Sequence, residues 1–219
     1  MSIQRLAYPL RDALYLNITN GCTLACKFCP KVRDGDWTIG GFDLRLQNEP
    51  SVEDVWLAAV NAGIGPKAVQ QEVVFTGFGE ATRRLKVLLE LVRRFKNEGV
   101  QRIRLDTDGL ANLREGRNVV PELADAGLGA VCVSLNAPDA NTYATICPNR
   151  YGLAAWKASC DFIRLACHGL PEVTASFVAL PDLSEAACRD LAESLGARFR
   201  WRPYDRRGSK RDVSAPPAI

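Results

Sequence analysis

The chain has 219 residues, of which 47% are hydrophobic and 24% charged, a length and balance suited to one compact core. No apolar run reaches the ~18 residues that a membrane span needs, and the composition is too apolar for a disordered chain. Its 28 basic and 25 acidic residues leave a net charge of +3, which does not point to nucleic acid as a partner. A single histidine, His168, excludes di-histidine zinc sites and facial triads. The first residues lack the basic cap and apolar core of a secretory signal, so a cytoplasmic location is expected. In that compartment the eight cysteines stay reduced and are available to metal.

Six segments rich in β-branched and aliphatic residues, at 14–19, 72–77, 102–106, 130–135, 173–179 and 198–204, predict strands. Helical patterns lie between them at 52–61, 82–97, 121–126, 151–166 and 184–195. Ser51 with Asp54 three residues on is a capping-box pattern, and Leu85, Leu88, Leu89, Val92 and Phe95 share one face of the second helix, which stops at Gly99. Six alternations predict an α/β fold with a parallel sheet, either open and doubly wound or curled into a barrel short of eight units. Both architectures place a site at the carboxyl ends of the strands. Residues 1–204 would form the core domain and the basic stretch 205–219 a flexible tail. Residues 30–50 make a long insertion near the site. Its Trp37 and Phe42 are candidates either to stack on a planar substrate or to pack the loop.

The residues that follow the strands carry the chemistry. After the first comes Cys22-Thr-Leu-Ala-Cys26-Lys-Phe-Cys29-Pro. On an ideal helix the outer cysteines would stand about 10.5 Å apart along the axis, too far to converge on one ion or cluster, so the segment must wrap as a loop, punctuated by Gly21 and Pro30. Three thiolates fall short of the four that structural zinc takes, although Cys132, Cys147, Cys160, Cys167 or Cys188 could supply another by folding. An iron–sulfur cluster with one open corner suits three. After the second strand stands Thr76-Gly77-Phe78-Gly79-Glu80, compatible with an ordinary turn capped by its acid. After the third, Asp106 and Asp108 are close enough in sequence that one must be exposed, protonated or paired with a donor. Ser134 and Asn136 follow the fourth strand. On the last, Arg198, Arg200 and Arg202 alternate onto one face, either to protect an edge with charge or, at Arg202, to bind a carboxylate at the mouth.

Taken together these motifs resemble the radical S-adenosylmethionine (SAM) superfamily. Phe28 stands at the aromatic position of its CxxxCxΦC signature. GFGE resembles the family's GGEP, with Ala81 in place of proline, and DTDG resembles NTNG with both asparagines turned to aspartates. The resemblance implies a partial (β/α)6 TIM-like barrel with a [4Fe-4S] cluster on Cys22, Cys26 and Cys29, and SAM on the fourth iron. It implies SAM-binding positions at Phe28, Gly77, Gly79, Glu80, Asp106, Asp108, Ser134 and Asn136, with Arg202 available to SAM or substrate. The implied activity is reductive cleavage of SAM, fed by a flavodoxin- or ferredoxin-like donor, giving a 5′-deoxyadenosyl radical that abstracts hydrogen from a substrate. Within the superfamily, LYLNITNGCTLACKFC, VVFTGFGEAT, VSLNAPDANTY and RPY are similar to the TatD-associated radical SAM proteins, which implies a functional link to a TatD-type metal-dependent hydrolase and names no substrate. The competing readings are a 7-carboxy-7-deazaguanine synthase-like enzyme, a glycyl-radical activating enzyme and a zinc-stabilised binding module. Cys147 is the cysteine to watch as a hydrogen donor.

Overall fold

The computed structural model describes residues 4–64 and 72–204. The chain opens with β1 (Ala7–Leu10), β2 (Ala13–Leu16), α1 (Pro30–Arg33), β3 (Thr38–Ile39), β4 (Phe42–Asp43) and α2 (Val52–Asn61). It continues through β5 (Glu72–Phe75), a 3-10 turn (Ala81–Arg84), α3 (Leu85–Asn97), β6 (Arg102–Thr107), α4 (Ala111–Glu115) and α5 (Val120–Ala126). Last come β7 (Ala130–Ser134), α6 (Ala140–Ile146), α7 (Ala154–Gly169), β8 (Glu172–Val178), α8 (Glu185–Ser194) and β9 (Arg198–Arg202).

The main sheet runs β1-β2-β5-β6-β7-β8-β9. Every neighbouring pair is parallel except the β1–β2 hairpin. The six parallel strands are the six expected from the sequence, and they form a partial TIM-like barrel, open between β1 and β9. The extra strand β1 escaped sequence reading because it holds Pro9, which is tolerated only at a sheet edge. Alternation sorts the side chains. Ile103, Leu105, Val131, Val133, Ala175 and Phe177 turn outward into the core under the helices. Arg104, Asp106, Cys132, Ser134, Ser176, Arg200 and Arg202 occupy the intervening positions and face the interior.

The helices form where periodicity and caps agree. Ser51 Oγ accepts from Asp54 N at 3.1 Å while the Asp54 carboxylate accepts from Ser51 N at 2.8 Å, completing the capping box of α2. The expected stripe of α3 is buried, with Phe95 packed against Trp56 and Phe75 at 5.2 and 6.2 Å between ring centroids. The helix starts three residues later than expected, because Glu80 first caps the 3-10 turn by accepting from Thr82 N. Three short helices, α1, α4 and α6, were not anticipated. They lie within single loops and have too few turns to show periodicity, though the Asp139 carboxylate caps α6 from Asn141 N and Thr142 N.

The insertion 30–50 is built rather than structureless. Asn17 Nδ2 donates to Leu44 O at 2.7 Å, and the Asn20 side chain exchanges two hydrogen bonds with the Leu46 backbone at 2.6 and 3.0 Å. Trp37 meets Phe78 edge-on at 5.8 Å and carries the Lys31 and Arg45 cations over its ring, while Phe42 packs on Tyr8 at 5.5 Å. Of their two readings, the packing one describes what both aromatics do. The 205–219 tail lies outside the described residues. Among the described residues no helix is long and apolar enough to cross a membrane.

Candidate functional site

A cavity of about 320 Å³ opens at the carboxyl ends of the strands. Its wall gathers Cys22, Cys26, Phe28 and Cys29 from the loop after β2, and Gly77, Gly79 and Glu80 from the turn after β5. Asp106 and Asp108 come from the end of β6, Ser134 and Asn136 from the end of β7, and Arg202 from the end of β9. The twelve residues singled out from the sequence thus meet in one space. Sequence reading passed over Tyr15 and Ser176, which also line it, and named Cys132 only as one of five further cysteines, without placing it at the site. Cys132 lies two residues before Ser134, so strand alternation alone could have placed it on the same face.

The cysteine segment wraps as a loop, held by Ala25 N to Pro148 O at 2.8 Å and Lys27 N to Ile146 O at 2.9 Å. None of its thiols is in a disulfide. Burial pushes the Cys22 thiol up to about 12 and raises that of Cys29. Cys26 is raised by a hydrogen bond shared with Cys147 and then by burial. Backbone N–H groups oppose this: Leu24 donates toward the Cys22 sulfur, and Lys31 and Val32 toward that of Cys29. Among the described residues no three His, Cys, Asp or Glu side chains are already drawn to ion-binding separation. Neutral thiols have no attraction that would draw them to a point, and deprotonation accompanies ligation. Three thiols on one wall, with N–H donors toward two of the sulfurs, fit thiolate ligation of an iron–sulfur cluster. Cys147 is fully buried behind Cys26, among Leu24, Leu110, Ala137, Tyr143 and Ala155, and does not line the cavity. The further thiol on the cavity wall is Cys132.

The acids are held from below. Glu80 Oε1 accepts from Thr82 N, Thr82 Oγ1 and Thr107 Oγ1 at 3.0, 2.7 and 2.9 Å, and Oε2 accepts from Asp108 N at 2.7 Å. The carboxylate therefore ties the end of β5 to the end of β6, and Oε2 keeps acceptor capacity. The glycines beside it serve close packing. A Cβ on Gly79 would stand 2.0 Å from Thr19 O, and one on Gly77, whose φ is +137°, would stand 2.8 Å from Asn17 Oδ1.

Asp106 is ion-paired, with Arg104 Nε 3.1 Å from its Oδ1, although the angle does not make a hydrogen bond. Asp108 is buried, and only its Oδ1 is satisfied, by Leu110 N at 2.9 Å. The Thr23 hydroxyl is near enough to favour the ionised form, but neither Thr23 Oγ1 nor Asp108 Oδ2 completes a hydrogen bond. Burial, then the charge of Glu80, holds the Asp108 carboxyl well above the usual carboxylate range. Asp106 is thus paired, although burial still raises its carboxyl, and Asp108 is biased more strongly toward the protonated form.

A raised native pKa means that the folded state binds more protons, so this contribution is full below the unfolded value of ~3.9 and is lost as pH rises through the native one. Asp108→Asn is therefore expected to stabilise the cluster-free protein at pH 7, with the gain shrinking toward pH 4. The introduced amide nitrogen has Thr23 Oγ1 as an acceptor. Denaturant melts at several pH values check this, and a variant less stable than the parent at pH 7 would contradict it.

Arg202 points inward instead of guarding an edge. Its Nη2 donates to Asn136 Oδ1 at 3.2 Å and approaches Ser134 Oγ at 3.5 Å, while its buried Nε has no partner. Asn136 presents that oxygen from a left-handed backbone, φ +59°, which asparagine tolerates better than most residues. Arg198 is the solvated member of the series, with its side chain 73% exposed and Glu172 at 3.3 Å.

Comparison with known proteins places this geometry. Comparison with curated proteins gives no match. Among solved structures the fold is similar to Streptococcus suis SuiB bound to S-adenosylmethionine, with a TM-score of 0.65 and 14% identity over 89% of this chain and 41% of that one. It is also similar to a radical SAM methyltransferase from Sphaerobacter thermophilus, at 0.57 and 22% over 90% and 57%. Native anSMEcpe with bound AdoMet gives 0.59 and 14% over 87% and 50%. These identities speak for a shared fold, and the chain spans between 41% and 57% of the length of those three. The model of the radical SAM superfamily matches residues 16–195, a span that runs from the end of β2 to the end of α8 and carries the cysteine loop and nearly the whole cavity wall, so the chain belongs to the radical SAM superfamily.

Proposed function

We propose that this chain is a radical SAM enzyme of the TatD-associated type, working in the cytoplasm on a substrate still to be named. The observation that carries the reading is the convergence of the thiols of Cys22, Cys26 and Cys29, the acids Glu80, Asp106 and Asp108, and Arg202 on one cavity. When bound, a [4Fe-4S] cluster and SAM supply one-electron cleavage of SAM and hydrogen abstraction from substrate. Cys22, Cys26 and Cys29 hold the cluster, each giving up its thiol proton on ligation. Glu80 makes one part of the wall acidic, which suits an ammonium or sulfonium group, and beside it Asp108 offers a buried carboxyl whose Oδ2 has no partner. Ser134 and Asn136 offer hydroxyl and amide contacts, Asp106 an acceptor for a ribose hydroxyl, and Arg202 a fork for a carboxylate. Phe28 contributes an apolar surface beside the cysteines.

Ala25 and Lys27 leave the loop exposed on its outer side, where a flavodoxin- or ferredoxin-like donor can approach. The similarity to TatD-associated sequences supports a functional link to a TatD-type hydrolase. The test is electron paramagnetic resonance on anaerobically reconstituted, dithionite-reduced protein. Addition of SAM is expected to change the cluster signal, because a ligand joins the open iron. A signal indifferent to saturating SAM would contradict the reading.

A further inference from the structure

The interior of a barrel of this kind is normally filled by bulky branched apolar side chains. Here the inward positions of β6 and β9 hold Arg104, Asp106, Arg200 and Arg202, with Glu72 beside them on β5. Arg104 is accounted for, lying 3.7 Å from Glu72 and 3.1 Å from Asp106. Arg202 has only the neutral acceptors already described, and its Nε is orphaned. Arg200 lines the same cavity, half-buried, and among the described residues no carboxylate lies within 4.0 Å of it. Asp106 acts on it electrostatically without forming an ion pair with it, and is already engaged by Arg104. Among these inward strand positions three guanidinium groups therefore face two carboxylates, while Glu80 and Asp108 line the cavity from the segments beyond the strand ends. A partly desolvated cation without a partner is costly, and the cost is recovered when an anion binds there.

We infer that the substrate carries an oxyanionic group, a carboxylate or a phosphate, and that Arg200 holds it inside the barrel, deeper than the cofactor's contact at Arg202. This rests on the functional reading above, which assigns the Arg202 fork to a carboxylate at the mouth. Arg200 lies on the same face two residues earlier, about 7 Å further down the strand. A group bound there is therefore distinct from one bound at Arg202. A guanidinium is suited to the task because its planar N–H fork matches both oxyanions in bidentate geometry. The contrast along β9 shows that the placement is not generic edge protection, since Arg198 on the same face is solvated and paired while Arg200 is half-buried on the cavity wall.

The test uses cluster-reconstituted, SAM-bound protein, titrated calorimetrically with inorganic phosphate in one arm and acetate in the other. Saturable binding of at least one anion is expected, and the tighter arm identifies the substrate's group. Arg200→Gln should weaken that binding about tenfold or more, whereas SAM affinity should change by less than about twofold. Arg200→Lys, which keeps the charge and loses the fork, should fall between the two. Absence of saturable binding in the parent, or equal binding in Arg200→Gln, overturns the proposal. So does a tenfold loss of SAM affinity in Arg200→Gln, which would assign the residue to the cofactor. A parent protein that binds no SAM would sink the functional reading itself, and this inference with it.

Discussion

Cys22→Ala, Cys26→Ala and Cys29→Ala are each expected to abolish cluster assembly, leaving less than about a tenth of the iron and sulfide that the parent protein takes up. The expectation follows from the geometry of the loop, whose three thiols share one wall of a single cavity. A cluster held by two thiolates would have two iron corners without protein ligands. Cys188→Ala is the control. That thiol is fully buried in the core on α8, so its loss removes a small apolar contact and leaves iron content unchanged. Cys147→Ala separates a ligand from a neighbour. Cys147 sits behind Cys26 and helps raise its thiol but does not line the cavity, so the variant should retain its iron. Iron and sulfide analysis after anaerobic reconstitution decides the matter, and equal loss at Cys188 or Cys147 would show the ligand assignment to be wrong.

Gly79→Ala is expected to destabilise the fold by about 3 kcal/mol or more, because the added methyl would have to occupy space held by backbone. Its Cβ would stand 2.0 Å from Thr19 O and 2.7 Å from Thr19 C, and a carbonyl at the end of β2 cannot swing aside as a long side chain can. Relief would require the turn carrying Glu80 to lift away from the cysteine loop, and Glu80 N donates to Gly21 O at 2.8 Å across that junction. The substitution should therefore lower both stability and iron uptake. Gly116→Ala is the matched comparison. Gly116 has φ +65° but nothing within 4 Å of a Cβ, so only backbone strain remains, at about 1 kcal/mol. Urea denaturation with unchanged slope compares the two, and similar midpoints would refute the packing argument.

The sequence carried the parallel sheet well, because β5, β7 and β8 are short runs rich in aliphatic and β-branched residues, and β6 and β9 alternate apolar with polar residues. It carried the site equally well in position, since such folds put their chemistry just past the strands and each motif stood there. It was poorer on what each residue does. GFGE reads as a ligand-contacting motif, yet Gly79 is required by the Thr19 carbonyl behind it, and Glu80 spends most of its acceptors on Thr82, Thr107 and Asp108. Those partners come from different strands, and no local pattern encodes them. Cys147 looked available from its place after the fourth strand, but its position at the C-terminal end of α6 tucks it behind Cys26. Arg202 looked like an edge guard until the curl of the sheet placed it inside, a property of the barrel as a whole rather than of β9.

The most direct test of the account is the fate of SAM. Anaerobically reconstituted protein, with about four irons per chain, is given dithionite and SAM, and the products are separated by chromatography. The account predicts slow release of 5′-deoxyadenosine that depends on reductant and is absent from the Cys26→Ala variant. Zinc in place of iron, or a full cluster that leaves SAM intact under reduction, would contradict it and turn attention to a metal-stabilised binding module on a borrowed barrel.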